Sequence, residues 1–69
     1  MFGYLQITGA ANLAAEVLVD GHPIGHVPDL LRVAVGKHRV EIIRNDGTRQ
    51  TWDAVAITEY NTLGHPARF

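Results

Sequence analysis

The sequence predicts an all-β chain of about five to six short antiparallel strands. Apolar and polar residues alternate on both sides of a central glycine turn, in the segments Leu31–Val35 and His38–Arg44. This period of two is typical of paired strands that bury one face. The dipeptide Asp-Gly at Asp46-Gly47 favours a tight hairpin turn, and Asp20-Gly21 is expected to end a strand. We therefore expect antiparallel hairpins that pack on one another.

Five segments have the composition and alternation of strands: Tyr4–Thr8, Glu16–Asp20, Leu31–Val35, His38–Arg44 and a last strand that ends near Thr58. The small-residue segment Gly9–Ala15 is expected to be a connector with at most one helical turn. Pro23 and Pro28 fall within Gly21–Leu30. Because proline cannot donate to a sheet ladder, we expect that segment to be a loop.

The turn at Asn45–Thr48 is predicted to be a two-residue hairpin of type I′, because Asp-Gly accepts positive φ angles. Counting outward from it, Ile43 faces Gln50 and Glu41 faces Trp52. In this register the β-branched and leucine side chains share one face, which is the predicted core: Val17, Val19, Leu31, Val33, Val40, Ile42, Val55 and Ile57. The opposite face then holds Trp52 together with other small or apolar residues: Leu18, Ala34, Ile43, Ala54 and Ala56.

Short blocks of turn and strand residues follow one another in a fixed order over about residues 3–58. They are Gly3, then Ala15, Val17, Val19, Asp20 and Gly21, then Gly25 and Pro28, then Leu31 and Val33, then Gly36 and His38, then Val40 and Ile42, then Gly47, Val55 and Ile57. In this order and spacing the chain resembles the PEGA domain. The resemblance implies a small β-sandwich, distantly similar to immunoglobulin and transthyretin-like folds.

The chain departs from the PEGA pattern at several positions. Only the last residue of Asn12–Ala15 matches the quartet that gives the family its name. Val27, Val35 and Thr48 stand where threonine, proline and an aromatic residue are usual. The resemblance implies a non-catalytic module, of the kind found attached to surface, envelope or signalling proteins. It provides no catalytic residues and no cofactor.

We expect residues 1–58 to form the domain and residues 59–69 to form an irregular C-terminal tail, because Gly64 and Pro66 interrupt regular structure there. If no closing strand follows the last predicted one, a sheet edge is left open. An open edge is a template for another chain. The tail would then be an arm that embraces a neighbour, or a partner strand would complete the sheet.

The size and charge of the chain limit the kinds of protein it can be. A chain of 69 residues without cysteine forms one small domain that lacks the support of a disulfide, so an oligomer or a larger partner is expected to stabilise it. The net charge of -1 does not favour nucleic acid or anionic membrane as a partner. Basic residues concentrate in the middle third, interleaved with acids: Arg32, Lys37, Arg39, Arg44 and Arg49. A salt-bridged, solvated face is expected there, with phosphate contact as the alternative.

The N-terminal residues lack the basic start and long apolar core of a signal peptide. No stretch approaches the roughly 20 apolar residues of a membrane span. We expect a soluble protein that is cytoplasmic, part of a particle or complex assembled inside a cell, or processed from a longer chain.

The sequence predicts no catalytic side chains. The chain has no serine, and its glycines form no phosphate-binding loop ahead of a helix. His22 and His26 could bind a metal only if Asp20 or Asp29 completed the ligand set. The favoured interpretation is that His38 satisfies a turn and the other histidines are exposed, so neither a metal nor a cofactor is predicted.

An apolar outer face is the main functional signal. The predicted interface consists of apolar residues from that face and from the tail: Leu18, Ile43, Trp52, Tyr60, Leu63 and Phe69. Tryptophan is enriched at interface hot spots. We therefore expect a non-catalytic protein–protein interaction module, a small accessory or decorating subunit of a virion, an envelope complex, a membrane-associated complex or a homo-oligomer. The alternative is a module that binds carbohydrate or cell-wall polymer through Trp52.

Overall fold

A computed structural model describes residues 1–69 as two β-sheets without any α-helix. The strands are β1 (Phe2–Gln6), β2 (Glu16–Val19), β3 (His22–His26), β4 (Leu31–Ala34), β5 (Gly36–Ile43), β6 (Arg49–Ile57) and β7 (Ala67–Arg68). One sheet has the order β4-β1-β7 and the other has the order β3-β2-β5-β6. The predicted all-β class is confirmed, with one 3-10 turn at Ala10–Asn12 in the connector. No helix has the length and hydropathy needed to cross a membrane.

A single apolar cluster joins the two sheets. All eight residues of the predicted core are buried. Leu5 and Ile7 of the β1 region join them, as do Ala15 and Val27 from the connections beside β2 and β3. No polar or charged residue is buried. The alternation of the sequence therefore identified the core, because each buried residue lies two positions from the next along its strand.

The prediction of a loop over Gly21–Leu30 is wrong, since its first half forms β3. Asp20 and Gly21 both have positive φ angles, 51° and 82°, as a type I′ turn requires, and they return the chain antiparallel along β2. Pro23 is tolerated because β3 is an edge strand, where a missing N–H can face away from the sheet. The ladder between β2 and β3 also shifts register once, between Val17 and Leu18.

The turn between β5 and β6 also differs from the prediction. The Gly47 N–H donates to the Arg44 carbonyl over 2.9 Å, and only Gly47 has a positive φ angle, 87°. This is a type I turn followed by a glycine bulge, rather than a type I′ turn. The register near the turn consequently moves by one residue, so that Ile43 lies opposite Arg49 and Val40 lies opposite Trp52.

A β-bulge restores the predicted register farther along the same hairpin. His38 pairs with Val55, and Val40 pairs with Trp52. Two residues of β6, Asp53 and Ala54, therefore lie opposite the single residue between His38 and Val40. The extra residue places Trp52 and Val55 on the same face of β6, the face toward the core.

The C-terminal tail folds back on its own domain. The tail was expected to be irregular over residues 59–69. Residues 59–66 belong to no strand, whereas Ala67–Arg68 forms β7 and pairs in parallel with β1. Hydrogen bonds also join Asn61 to Tyr4 and Phe69 to Gln6. A closing strand is thus present, and the tail of the same chain occupies one edge of β1. Neither the predicted arm nor a partner strand at this edge agrees with this arrangement.

Adjacent residues of β5 provide a test of the core. Ile42 is fully buried, whereas Ile43 lies on the opposite face and is half-buried. We expect Ile42→Ala to lower the free energy of unfolding by about 2–5 kcal/mol, because it leaves a cavity. Ile43→Ala should cost about 1 kcal/mol or less. Urea unfolding of both variants measures the difference, and equal costs would contradict the assigned faces.

Candidate interaction surface

Trp52 does not lie on the outer face. The shifted register and the bulge turn its side chain inward, where it is half-buried against the core cluster. Its ring centroid is 5.8 Å from that of Phe69, with the planes tilted by 56°. The orientation predicted for Trp52 is therefore wrong, and its neighbour is the tail of the same chain.

The remaining predicted interface residues fall into separate places. Leu18 and Ile43 are half-buried on the outer face of the larger sheet, on the neighbouring strands β2 and β5. Glu41 lies opposite Leu18 and forms ion pairs with Arg39 and Arg49 at 3.9 and 3.6 Å. This face has the expected salt-bridged character.

Tyr60 and Leu63 lie in the segment between β6 and β7. Their exposed fractions are 80% and 60%, so both side chains stand largely in solvent. Phe69, in contrast, contacts Trp52. The structure therefore joins Trp52 with Phe69 and places Leu18 and Ile43 on one face, but it does not gather the six residues into one surface.

The two sides of the domain differ in what covers them. On one side β6 and β7 are the outermost strands, and the Trp52–Phe69 contact and the tail close the gap between the sheets. On the other side, β3 and β4 are outermost. We call this second side the open side.

The open side contains a groove of about 230 Å³ between β3 and β4, which we call the β3–β4 groove. Four apolar and three basic residues line it: Val19, Ile24, Val33, Ala34, His22, Arg32 and His38. Phe2 lies opposite Ala34 in the neighbouring strand, and the Val35 N–H donates to the Met1 carbonyl. Phe2, Val35 and Met1 are exposed, so further apolar side chains lie beside the groove.

His38 links the two sheets at one end of this groove. Its Nδ1 is 2.6 Å from Asp20 Oδ2, and its Nε2 is 2.7 Å from the carbonyl oxygen of Ala34 in β4. Because both ring nitrogens face acceptors, both must donate, which requires the imidazolium form. The Asp20 hydrogen bond, assisted by the Ala34 carbonyl, raises the pKa of His38. Donation from His38 and from the Arg39 N–H lowers the pKa of Asp20.

The open side could not be predicted from the sequence. Its residues come from four strands, and no spacing along the chain shows that β3 and β4 become neighbours. One local signal was present, since His22, Ile24 and His26 are spaced by two residues like a strand. The prolines in the same segment outweighed it.

The structure brings together no group of three or more histidine, aspartate or glutamate side chains that could hold a metal ion. The chain matches no protein-family model, and comparisons with curated proteins and with solved structures gave no significant match. The resemblance to the PEGA domain therefore remains a prediction. The geometry of the open side is the main evidence on function.

The contact between Trp52 and Phe69 predicts a stabilising role for the tail. Trp52→Ala should lower the free energy of unfolding by about 2 kcal/mol, less than for a fully buried ring. Phe69→Ala should couple to it by about 0.5–1.5 kcal/mol in a double-mutant cycle. Urea unfolding of the four proteins measures this coupling. Additive effects would show that the rings contribute independently.

The His38 network predicts a pH dependence of stability. The raised pKa of folded His38 adds stability that is complete below the unfolded pKa and is lost as pH rises through the folded pKa. The lowered pKa of Asp20 adds stability above its unfolded pKa that is lost as pH falls. We therefore expect maximal stability between about pH 4 and pH 6.5, the ordinary values of the two groups.

Thermal unfolding across pH tests this expectation. His38→Gln should flatten the decline on the alkaline side of the maximum. His65→Gln is the matched control, because His65 is exposed and its side chain makes no hydrogen bond. A profile in which His38→Gln declines as steeply as the wild type would contradict the assigned imidazolium.

Proposed function

We propose that the chain is a non-catalytic protein–protein interaction module that acts as a small accessory or decorating subunit of a larger assembly. The observation that carries this proposal is the open side. There the apolar lining residues of the β3–β4 groove lie beside the exposed apolar residues Met1, Phe2 and Val35. Contiguous exposed apolar surface on a small protein is typical of an interaction site.

The composition of the groove supports a binding role rather than catalysis. Its ionisable lining residues are His22, Arg32 and His38, and both nitrogens of His38 are engaged in hydrogen bonds. The groove offers no hydroxyl, thiol or carboxylate among its lining side chains. Acyl transfer and glycoside hydrolysis rely on such groups.

We further propose that the two sheets form a β-sandwich of the PEGA type. Support comes from the one core cluster shared by both sheets and from the positions of the family-like turn residues. Asp20 and Gly21 adopt the positive φ angles of a tight turn, and His38 hydrogen-bonds to Asp20. The Asp-Gly and Gly-x-His blocks are thus held together by a direct contact.

Carbohydrate binding through Trp52 is the weaker alternative. Stacking on a sugar needs an accessible ring face, whereas Trp52 packs against the core and contacts Phe69. No tryptophan, tyrosine or phenylalanine lines the β3–β4 groove. The protein-binding proposal is therefore the one that the geometry favours.

The native mass of the protein in a gentle extract of its source cells tests the proposal. An accessory subunit should elute in a species much larger than 7.6 kDa, together with other proteins in constant ratio. The purified chain, examined by light scattering over a concentration series, provides the control for self-association. Elution as a monomer in both experiments would overturn the proposal.

A further inference from the structure

The outer edge of β4 has unpaired backbone hydrogen-bonding groups. The Val35 N–H donates to the Met1 carbonyl, so in this antiparallel ladder Leu31 and Val33 also face β1. Arg32 and Ala34 consequently direct their backbone groups away from the sheet. His38 occupies the Ala34 carbonyl. The Arg32 N–H, the Arg32 carbonyl and the Ala34 N–H remain for a partner.

The neighbouring edges are better protected against pairing. On β3, Pro23 has no N–H. The His26 N–H donates to the Asp29 carboxylate over 3.1 Å, and the His26 carbonyl accepts from the Asp29 N–H over 2.8 Å. The edge strand β6 contains the bulge, and β7 has only two residues. Proline, bulges, local caps and shortness all discourage strand addition. The free groups of β4 therefore single out this edge.

Arg32 gives the β4 edge an unbalanced charge. It is the only arginine that makes neither a salt bridge nor a side-chain hydrogen bond. Its guanidinium lies 4.8 Å from the centre of the Phe2 ring on the outer face of the smaller sheet. A carboxylate placed opposite would find a positioned cation with all of its donors free.

We propose that the open side binds an extended partner segment that adds to the free edge of β4 and alternates apolar with acidic residues. Side chains of an added strand point alternately to the two faces of the sheet. Those that point inward meet the apolar wall of the β3–β4 groove, formed by Val19, Ile24 and Val33. Those that point outward lie beside Arg32. This inference rests on the proposed function and names the chemistry of the partner.

A second copy of the chain fits this edge less well. Two copies meeting through β4 would bring their Arg32 residues near each other, together with the basic lining residues His22 and His38. Like charges brought together at an interface are destabilising. An acidic segment relieves this repulsion instead.

Selection from random peptides of about eight residues, long enough to span β4, tests the proposal on the full chain. The enriched peptides should alternate apolar and acidic residues. The best of them should shift the amide NMR signals of Arg32 and Ala34 and the methyl signals of Ile24 and Val33. Enrichment of basic or non-alternating peptides, no enrichment, or shifts confined to the tail or to the Leu18–Ile43 face would overturn the proposal.

Variants separate charge from backbone pairing. Arg32→Glu should weaken binding of the selected peptide by about tenfold or more, because a charged hydrogen bond is lost. Lys37→Glu, the matched control, makes the same charge change at an exposed residue outside the groove and should have little effect. Equal effects would reduce the role of Arg32 to general charge and contradict the proposal.

Ala34→Pro removes a free N–H without altering the ladder to β1, and it should abolish strand addition. If that variant fails to fold, N-methylation of alternate residues of the peptide supplies the same test from the other side. Undiminished binding of both N-methylated forms would exclude pairing with β4.

The native-mass experiment distinguishes failure of this inference from failure of the proposed function. Ile24→Asp and Arg32→Glu should release the chain from its large species, whereas Leu13→Asp, at a more exposed apolar site elsewhere, should not. A large species that survives both groove variants would preserve the adaptor function and overturn the groove as its site. A dimer that dissociates with Ile24→Asp would show that a second copy is the occupant.

Discussion

The pairing register of the β5–β6 hairpin, including the β-bulge in β6, determines how the two sheets meet on the side of Trp52. The turn at Gly47 shifts the register by one residue and the bulge at Asp53 and Ala54 shifts it back, so that Trp52 faces inward together with Val55. There it reaches Phe69, which follows the short strand β7 in the other sheet. A regular hairpin would have directed the largest side chain of the chain into solvent and left the tail without a docking point. Closure of this side thus follows from the register shift at the turn together with one extra residue in β6.

The side that the tail does not reach has a different character. A chain of this size buries a smaller fraction of its surface than a larger domain does. Here the tail covers the space between the sheets on one side only. On the other side, local features leave few backbone groups free to pair with another strand. These features are Pro23, the hydrogen bonds between Asp29 and His26, and the His38 hydrogen bond to the Ala34 carbonyl. Only a short stretch of β4 keeps free backbone hydrogen-bonding groups, and it lies beside an apolar groove. Such selective protection limits where another chain can attach, and it discourages indiscriminate edge pairing.

The parts of the fold that are local and periodic could be predicted from the sequence. The core positions followed from alternation, because a side chain two residues on returns to the same face. The register of the last hairpin was not predictable, because one extra residue before Val55 changes which residues pair. The strand β3 was not predicted, because Pro23 was expected to exclude a strand, although an edge strand tolerates proline. The strand β7 was too short to show a period. The groove could not be predicted because it depends on which strands become neighbours, and no motif in the sequence records that.

Trp52 is the only tryptophan of the chain, and it lies where the tail meets the body of the domain. Its indole therefore acts as a built-in fluorophore for a local event. When the tail lifts away, the ring loses Phe69 and gains water, while the core strands can remain paired. Local opening of a terminal segment commonly requires less free energy than global unfolding. The intrinsic emission of the protein thus reports the attachment of its own C-terminus separately from the ellipticity of its sheets.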